Sequence, residues 1–378
     1  MNKSPLKIAF VIPALGAGGA ERVAVLTAAE LARRGHEITF FTYDGEQPDF
    51  YPLSEGIKRV RLNILSTAES FAQGAVNNIR RIAVLRRALK KSAPDAIISF
   101  MPPTNVTAIL AAAGTGVPVV ATEHVNPDTI RLAAVWAILR RLTYPFCEKL
   151  VCVSGGVADA FRWLGAERKA VIYNPLPAAQ AMQGEAQLPP EVAAAPFIAA
   201  MGRLTYQKGL DMLLRAFAKL SPEYPDWRVV IMGSGELDAE LKRLAAELGV
   251  ADKTVFTGSL TNPFPVIKKA KFFVMPSRFE GFGNVLAEAM YCGCPVIAAD
   301  CPSGPSEIVN GGADGLLVPP ENPEALAAAM RWYMDDGPLR AEMAARAVTA
   351  ARRFEAPVLG EQWDKLLHEL ACYGREDD

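Results

Sequence analysis

The sequence is short of the features that mark several large protein classes, and each shortage excludes something. No stretch of roughly 18 consecutive apolar residues occurs, so a membrane-crossing helix is not expected. The apolar run that begins at Lys7 is too short for a secretory signal and passes straight into glycines. That points to a cytoplasmic protein, or one peripheral on the cytoplasmic face of the inner membrane. The six cysteines, at positions 147, 152, 292, 294, 301 and 372, include no CxxC pair and mostly sit in apolar runs; they read as reduced small hydrophobes. Histidine is scarce, with three in the chain, and no His/Asp/Glu cluster has ligand spacing, so neither a metal nor another cofactor is expected. Excess charge is missing too: a net charge of −1 argues against a nucleic-acid partner.

What the chain does have is length and apolar content. With 378 residues, 51% of them hydrophobic, it exceeds one compact core, and two domains of about 150–200 residues are expected. Residues 1–174 carry 21 Lys/Arg against 14 Asp/Glu and the remainder 19 against 27, so a half at +7 precedes a half at −8. A basic half can attract a local anion such as a pyrophosphate or a phospholipid surface.

Short β-branched apolar runs alternate with longer stretches of helical period. In the first half the runs are 7–12, 37–43, 58–62, 96–100, 118–122, 150–154 and 170–173. Residues 175–196, rich in Pro, Ala and Gln, have no sustained period and read as a linker. The pattern then restarts at 197–201, 228–232, 255–257, 272–275, 296–299 and 315–318. This alternation predicts an α/β protein with two doubly wound parallel sheets, over 1–174 and 197–356, and a terminal helix over 357–378 placed against the first domain. Ligands of such sheets gather outside the carboxyl ends of the strands, so chemistry is to be sought just after each run.

The first run ends in Pro13-Ala-Leu-Gly-Ala-Gly-Gly-Ala-Glu-Arg22 and leads into a helical pattern. Gly18 and Gly19 could bring backbone N–H groups close to a donor phosphate, or simply make a tight strand-to-helix turn; the spacing is not that of a dinucleotide fingerprint. After the eighth run, Gly202-Arg203-Leu-Thr-Tyr-Gln-Lys208 could place two cations over one diphosphate, or carry two solvated side chains. After the eleventh, Glu280-Gly-Phe-Gly283-Asn284-Val285 leads into a helix that carries Glu288. Two carboxylates straddling a helix start can hold a sugar hydroxyl at one end and a ribose at the other; the bland alternative is a capping Glu280 and a solvated Glu288. Gly233-Ser-Gly235-Glu also follows a strand and could be a plain turn. Glu123-His124 follows the fifth run: His124 can hydrogen-bond a transferred sugar or an acceptor hydroxyl, or be structural, and Glu123 can orient it or face the acceptor. Residues 77–91 hold Arg80, Arg81, Arg86, Arg87, Lys90 and Lys91 with no acid, beside an apolar row of Ile79, Ile82, Ala83, Leu85 and Leu89. Such a helix can lie on an anionic membrane or contact a lipid diphosphate, or be an ordinary domain helix with solvated cations.

The run from Glu280 through Glu288-Ala-Met-Tyr-Cys-Gly-Cys-Pro-Val-Ile, followed by Asp300-Cys-Pro-Ser-Gly-Pro-Ser-Glu307, resembles the hallmark of glycosyltransferase family four. The likeness reaches from the opening glycine loop through Arg203 and Lys208 to Gly315-Leu-Leu-Val-Pro319. It implies a GT-B fold, two Rossmann-like domains facing across a cleft, and retaining transfer from a nucleotide-diphosphate sugar without metal. The resemblance assigns Arg203 and Lys208 to the donor diphosphate, Glu280 to the donor sugar, Glu288 to the ribose, and His124 to the reacting sugars, and it puts Gly233 and Gly235 near the nucleotide. The GGAER loop and the runs Thr122-Glu-His-Val-Asn126 and Tyr144-Pro-Phe-Cys147 are similar to those of bacterial transferases that add hexosamines to undecaprenyl-diphosphate-linked glycans or exopolysaccharide repeats. A UDP-linked N-acetylhexosamine donor, a lipid-linked or polysaccharide acceptor and peripheral contact with an anionic membrane are the partners this implies. The competing functions are a sugar-nucleotide epimerase or hydrolase of similar fold, and a non-catalytic subunit that binds nucleotide sugars.

Overall fold

Seven strands of the first half, β1 (Lys7–Ile12), β2 (Glu37–Thr42), β3 (Lys58–Arg61), β4 (Ala96–Phe100), β5 (Val119–Glu123), β6 (Lys149–Cys152) and β7 (Lys169–Val171), pair in the order β3-β2-β1-β4-β5-β6-β7. Six of the second, β8 (Phe197–Met201), β9 (Arg228–Met232), β10 (Thr254–Gly258), β11 (Phe272–Met275), β12 (Val296–Ala299) and β13 (Leu316–Val318), pair as β10-β9-β8-β11-β12-β13. Both ladders are parallel throughout. The reason is visible in β4, where Ala-Ile-Ile-Ser-Phe is buried at every position: a strand apolar on both faces needs helices above and below it, which crossover connections supply. Both orders are Rossmann orders, reversing direction between β1 and β4 and between β8 and β11.

The computed structural model describes residues 4–45, 49–65 and 70–373. The chain divides into two units, Met1–Pro175 with Ala356–Asp378, and Leu176–Glu355. In the first, Ile8, Phe10, Ile38, Phe40 and Ile98 pack under the helix Gly19–Arg33 and under Trp363, Leu366, Leu367 and Leu370 of the helix Ala356–Tyr373. Residues 374–378 of the expected terminal helix, and the side chain of Cys372, lie outside what is described. A polar clasp fastens that helix. Asp364 meets His36 Nε2 at 2.9 Å, and His368 meets the carbonyl oxygen of Ser4 at 3.0 Å. The Leu6 amide donates to His36 Nδ1, so the Asp364 side of that ring carries the proton and has no lone pair for an ion.

Residues 176–196, expected as a linker, instead belong to the second unit. Leu176 donates its amide to Phe354 and, with Met182 and Val192, is buried. The segment has no period because it packs through single side chains and two short helical turns, Ala179–Met182 and Pro190–Ala194, not through one continuous face. The core of this unit joins Leu213, Leu214 and Phe217 of the helix Leu210–Leu220 to Val229, Ile231, Val274 and Met330.

Candidate active site

The reversal of the second sheet sets the exits of β8 and β11 side by side. The loop after β8 closes at Gly209, whose φ is 60° and whose missing Cβ would stand 2.1 Å from the carbonyl oxygen of Pro276, so the two loops touch backbone to backbone. Three hydrogen bonds bind them: Arg278 N–H to Gln207 O at 2.8 Å, Arg278 Nη1 to Tyr206 O at 2.8 Å, and Gln207 Nε2 to Phe279 O at 3.1 Å. Arg278 completes the clasp with a bidentate pair to Asp211 at 2.9 and 2.8 Å, a third contact to Glu321 at 2.9 Å, and its guanidinium 4.1 Å from the centre of the Tyr206 ring. The hydrogen bonds that Arg278 donates to the Asp211 carboxylate push the guanidinium's pKa further up. Asp211, Gln207 and Arg278 escaped the sequence reading, because partners up to 72 positions apart leave no local pattern.

That clasp brings Lys208 and Glu280 into contact. Lys208 Nζ lies 2.6 Å from Glu280 Oε1, and Ser277 Oγ donates to the same oxygen at 2.7 Å. The sequence reading gave these two residues separate ligands; the structure makes them an ion pair, with Glu280 5% exposed. The pair is not saturated. Among the described residues no donor reaches Glu280 Oε2, and the lysine keeps two N–H donors beyond the one it spends on Glu280. Arg203 contrasts with Arg278: it is exposed, and no described residue pairs with it or hydrogen-bonds its guanidinium. Glu288 is not the solvated side chain of the bland alternative: it is 2% exposed within the helix Asn284–Tyr291, which begins with Asn284 and Val285 after Gly283 at φ 102°.

Gly233 and Gly235 press against the Arg203 loop. A Cβ on Gly233 would lie 2.0 Å from Gly202 O, and one on Gly235 2.6 Å from Leu204 N, so close backbone packing already requires both glycines. In the first unit the glycine loop departs from its expected phosphate-binding form. The helix Gly19–Arg33 begins there, but the Glu21 carboxylate folds back over Gly18, with an oxygen 2.0 Å from where a Cβ would stand. The helix's own acid thus sits where Gly18 and Gly19 were expected to receive an anion, so the structure gives that role no support.

His124 stands directly after β5, with Thr122 Oγ1 3.0 Å from its Nε2 and its ring stacked on Phe100 at 5.5 Å. Burial pushes its pKa down to about 4, so the ring is neutral at physiological pH. Glu123 turns the other way, which corrects its expected acceptor-facing role. It is 1% exposed, accepts the Tyr144 hydroxyl, and has Arg140 at 3.9 Å. Burial raises its pKa to about 7, against the lowering influence of Tyr144 and Arg140.

The helix Phe71–Ser92 is only partly the cationic surface expected. Arg81 donates to Ile64 O, and Arg86 caps the carbonyls of Ala111 and Ala113, so those two hold the fold together; Arg80, Arg87, Lys90 and Lys91 are exposed. Of its apolar row Leu85 and Leu89 are buried, whereas Ile79 is 67% exposed. No helix among the described residues is long and apolar enough to cross a membrane.

Comparison with known proteins gives this arrangement its context. The family profile described as Glycosyltransferase Family 4 matches residues 17–180, and that described as Glycosyl transferases group 1 matches residues 189–350. A Campylobacter jejuni α-1,4-N-acetyl-D-galactosaminyltransferase acting on a diNAcBac-PP-undecaprenol glycan is 29% identical over 97% of this chain and 99% of its own length. A second N-acetylgalactosaminyltransferase of that organism, acting on a diphospho-undecaprenol glycan, is 27% identical over 92% of this chain and 96% of its own. Among solved structures, the sucrose-phosphate synthase of Thermosynechococcus elongatus superposes with a TM-score of 0.82 at 21% identity, covering 97% of this chain and all of that one. Anabaena HepE, solved with UDP, superposes at 0.76 and 20% identity over 96% of this chain and all of its own. The chain belongs to the glycosyltransferases of GT-B fold, with a family 4 domain followed by a group 1 domain.

Proposed function

We propose that this glycosyltransferase moves an N-acetylhexosamine from a UDP-linked donor to a lipid-linked oligosaccharide or polysaccharide, with retention at the anomeric carbon and without a bound metal. The observation that carries the reading is the unsaturated Lys208–Glu280 pair at the reversal point of the second sheet, on the same loop as an uncommitted Arg203. The two Campylobacter jejuni relatives support the choice of donor and acceptor class.

In this reading Arg203 and Lys208 neutralise the donor diphosphate. As the bond from the anomeric carbon to the phosphate oxygen breaks, negative charge grows on that oxygen, so fixed cations stabilise the transition state more than the bound donor. Glu280 uses its open Oε2 to accept a hydroxyl of the transferred sugar, and Glu288 holds the ribose near the N–H groups of Asn284 and Val285. The acceptor hydroxyl attacks from the face the phosphate leaves, and its proton passes to the departing phosphate oxygen. No protein nucleophile takes part. The test is turnover of UDP-N-acetylgalactosamine with and without an undecaprenyl-diphosphate-linked glycan, in excess chelator. A glycosylated acceptor of retained configuration is expected; chelator-sensitive transfer restored by magnesium or manganese would contradict the metal-free reading, and donor isomerisation without acceptor would point to an epimerase.

The same acceptor class implies contact with an anionic membrane. In the same unit as the exposed cations Arg80, Arg87, Lys90 and Lys91, the helix Ala134–Thr143 turns Val135, Ile138 and Leu142 to solvent, 42%, 60% and 62% exposed, and Phe146 after it is 77% exposed. No acid occurs between Asp128 and Glu148, and both helices pack on the helix Pro102–Ala112. An exposed apolar row in a stretch whose charged residues, Arg131, Arg140 and Arg141, are all cations suits the boundary between headgroups and acyl chains. Binding to phosphatidylglycerol vesicles should weaken with salt, and replacing Arg80, Arg87 and Lys91 together by Ala should weaken it further; full vesicle binding by that variant would leave its helix an ordinary solvated one.

A further inference from the structure

We propose that Thr122 is a positioning residue whose hydroxyl fixes the His124 proton on Nε2 and thereby presents Nδ1 to the substrate as a hydrogen-bond acceptor. This rests on the reading of His124 as a substrate-facing side chain. A hydroxyl has one proton, and that of Thr122 goes to the carbonyl oxygen of Ser99, 2.8 Å away, which cannot donate in return. Toward His124 Nε2, 3.0 Å off, the Thr122 oxygen can therefore only accept, so Nε2 carries hydrogen. With the ring's pKa down at about 4, that is its single proton at neutral pH, and Nδ1 keeps a bare lone pair.

The surroundings leave the arrangement little freedom. Phe100 is stacked 25° from the imidazole plane, which fixes the ring's tilt. Thr122 is 1% exposed, and its carbonyl oxygen accepts from Asn105 Nδ2 at 2.9 Å, while Ser99 Oγ donates to Asn105 Oδ1 at 2.8 Å. No described residue reaches Nδ1, although nearly every other polar atom of this cluster is matched. A neutral imidazole held this way cannot protonate a leaving group. It can only accept, and a sugar hydroxyl is the donor that a strand-end site of a glycosyltransferase would offer it. Thr122 then acts through His124, selecting a substrate that presents a hydroxyl to Nδ1.

Two measurements test this. In ¹⁵N-histidine-labelled full-length protein, long-range ¹H–¹⁵N spectra should show His124 with protonated Nε2 and bare Nδ1 between pH 6 and 8; with three histidines in the chain, His124→Gln assigns the signal. In steady-state turnover of UDP-N-acetylgalactosamine, Thr122→Val should lose about tenfold in kcat/KM, the loss of one well-made hydrogen bond, and Thr122→Ser should recover most of it. His124→Asn, whose amide oxygen falls near the Nδ1 position, should retain more activity than His124→Gln, whose polar end falls near Nε2. A protonated Nδ1, or Thr122→Val turnover equal to wild type while His124→Ala is crippled, would overturn the role of Thr122 and leave His124 in the site. His124→Ala turnover equal to wild type would remove His124 from the site and the proposal with it.

Discussion

At the residue scale, pairing changes what substitutions at the site should do. Were Lys208 a solvated cation, Lys208→Ala would impair transfer and leave stability alone. Because Lys208 neutralises a carboxylate that is 5% exposed, its loss strands a nearly buried charge. We expect Lys208→Ala to destabilise the fold by about 1–3 kcal/mol in urea denaturation, and Lys208→Met with Glu280→Gln to recover most of that while transfer stays low. Equal stability of wild type and Lys208→Ala would mean the pair is absent in solution. Glu123 and His124 make a second case, with opposite signs. Glu123's pKa is raised from 4.5 to about 7, so its contribution is complete below pH 4.5 and is lost as pH rises through 7. His124's is lowered from 6.5 to about 4, so its contribution is complete above pH 6.5 and is lost as pH falls through 4. Between about pH 4.5 and 6.5 the two slopes oppose each other, each at most about 1.4 kcal/mol per pH unit. Removing the first with Glu123→Gln should make stability climb more steeply with pH across that window; parallel wild-type and variant curves would show that Glu123 does not titrate as described.

At the scale of elements, all the apolar runs became strands, the ends shifting by two residues or fewer; a strand buried on both faces, such as β4, writes its own local signature, whereas the edge strands β3 and β7 are largely unburied and were marked by little more than β-branched residues between turns. Partnerships across the sheet write none. Lys208 and Glu280 were each legible, but their contact depends on β8 and β11 being neighbours, and no single stretch encodes that. Arg278 stands two residues before the run that carries the family resemblance and has no local signal of its own, since its partners Asp211 and Tyr206 lie in the loop and helix that follow β8. The basic helix misled for a related reason: cation counts do not distinguish Arg86, which caps two carbonyls, from Arg87, which is exposed. From the clasp we expect Arg278→Ala to raise KM for the donor several-fold, through looser loops, and to cost about 1–3 kcal/mol of stability, since Asp211 loses a bidentate partner. Calorimetric titration with UDP and urea denaturation measure the two effects; unchanged UDP affinity would show that the loops hold their places without it.

At the scale of the whole molecule, the first unit is built from two separated lengths of chain, Met1–Pro175 and Ala356–Asp378. The returning helix supplies Trp363, Leu366, Leu367 and Leu370 to a core whose other members lie hundreds of positions earlier. Ending the chain after Glu355 should therefore spare the second unit and damage the first. Limited proteolysis of such a variant should digest residues before 175 while 176–355 resist; equal resistance of both would show that the helix is an accessory. The arrangement also sets a schedule for the ribosome. Between Pro175 and Ala356 the whole second unit must be translated, which at about 5–20 residues per second takes on the order of ten to forty seconds. Through that interval the half made first waits with Ile8, Phe10 and Phe40 covered by the helix Gly19–Arg33 but lacking the part of their cover that Trp363, Leu366, Leu367 and Leu370 supply, so the unit begun first is the last able to finish folding, and a chaperone's chance to hold it falls within that delay.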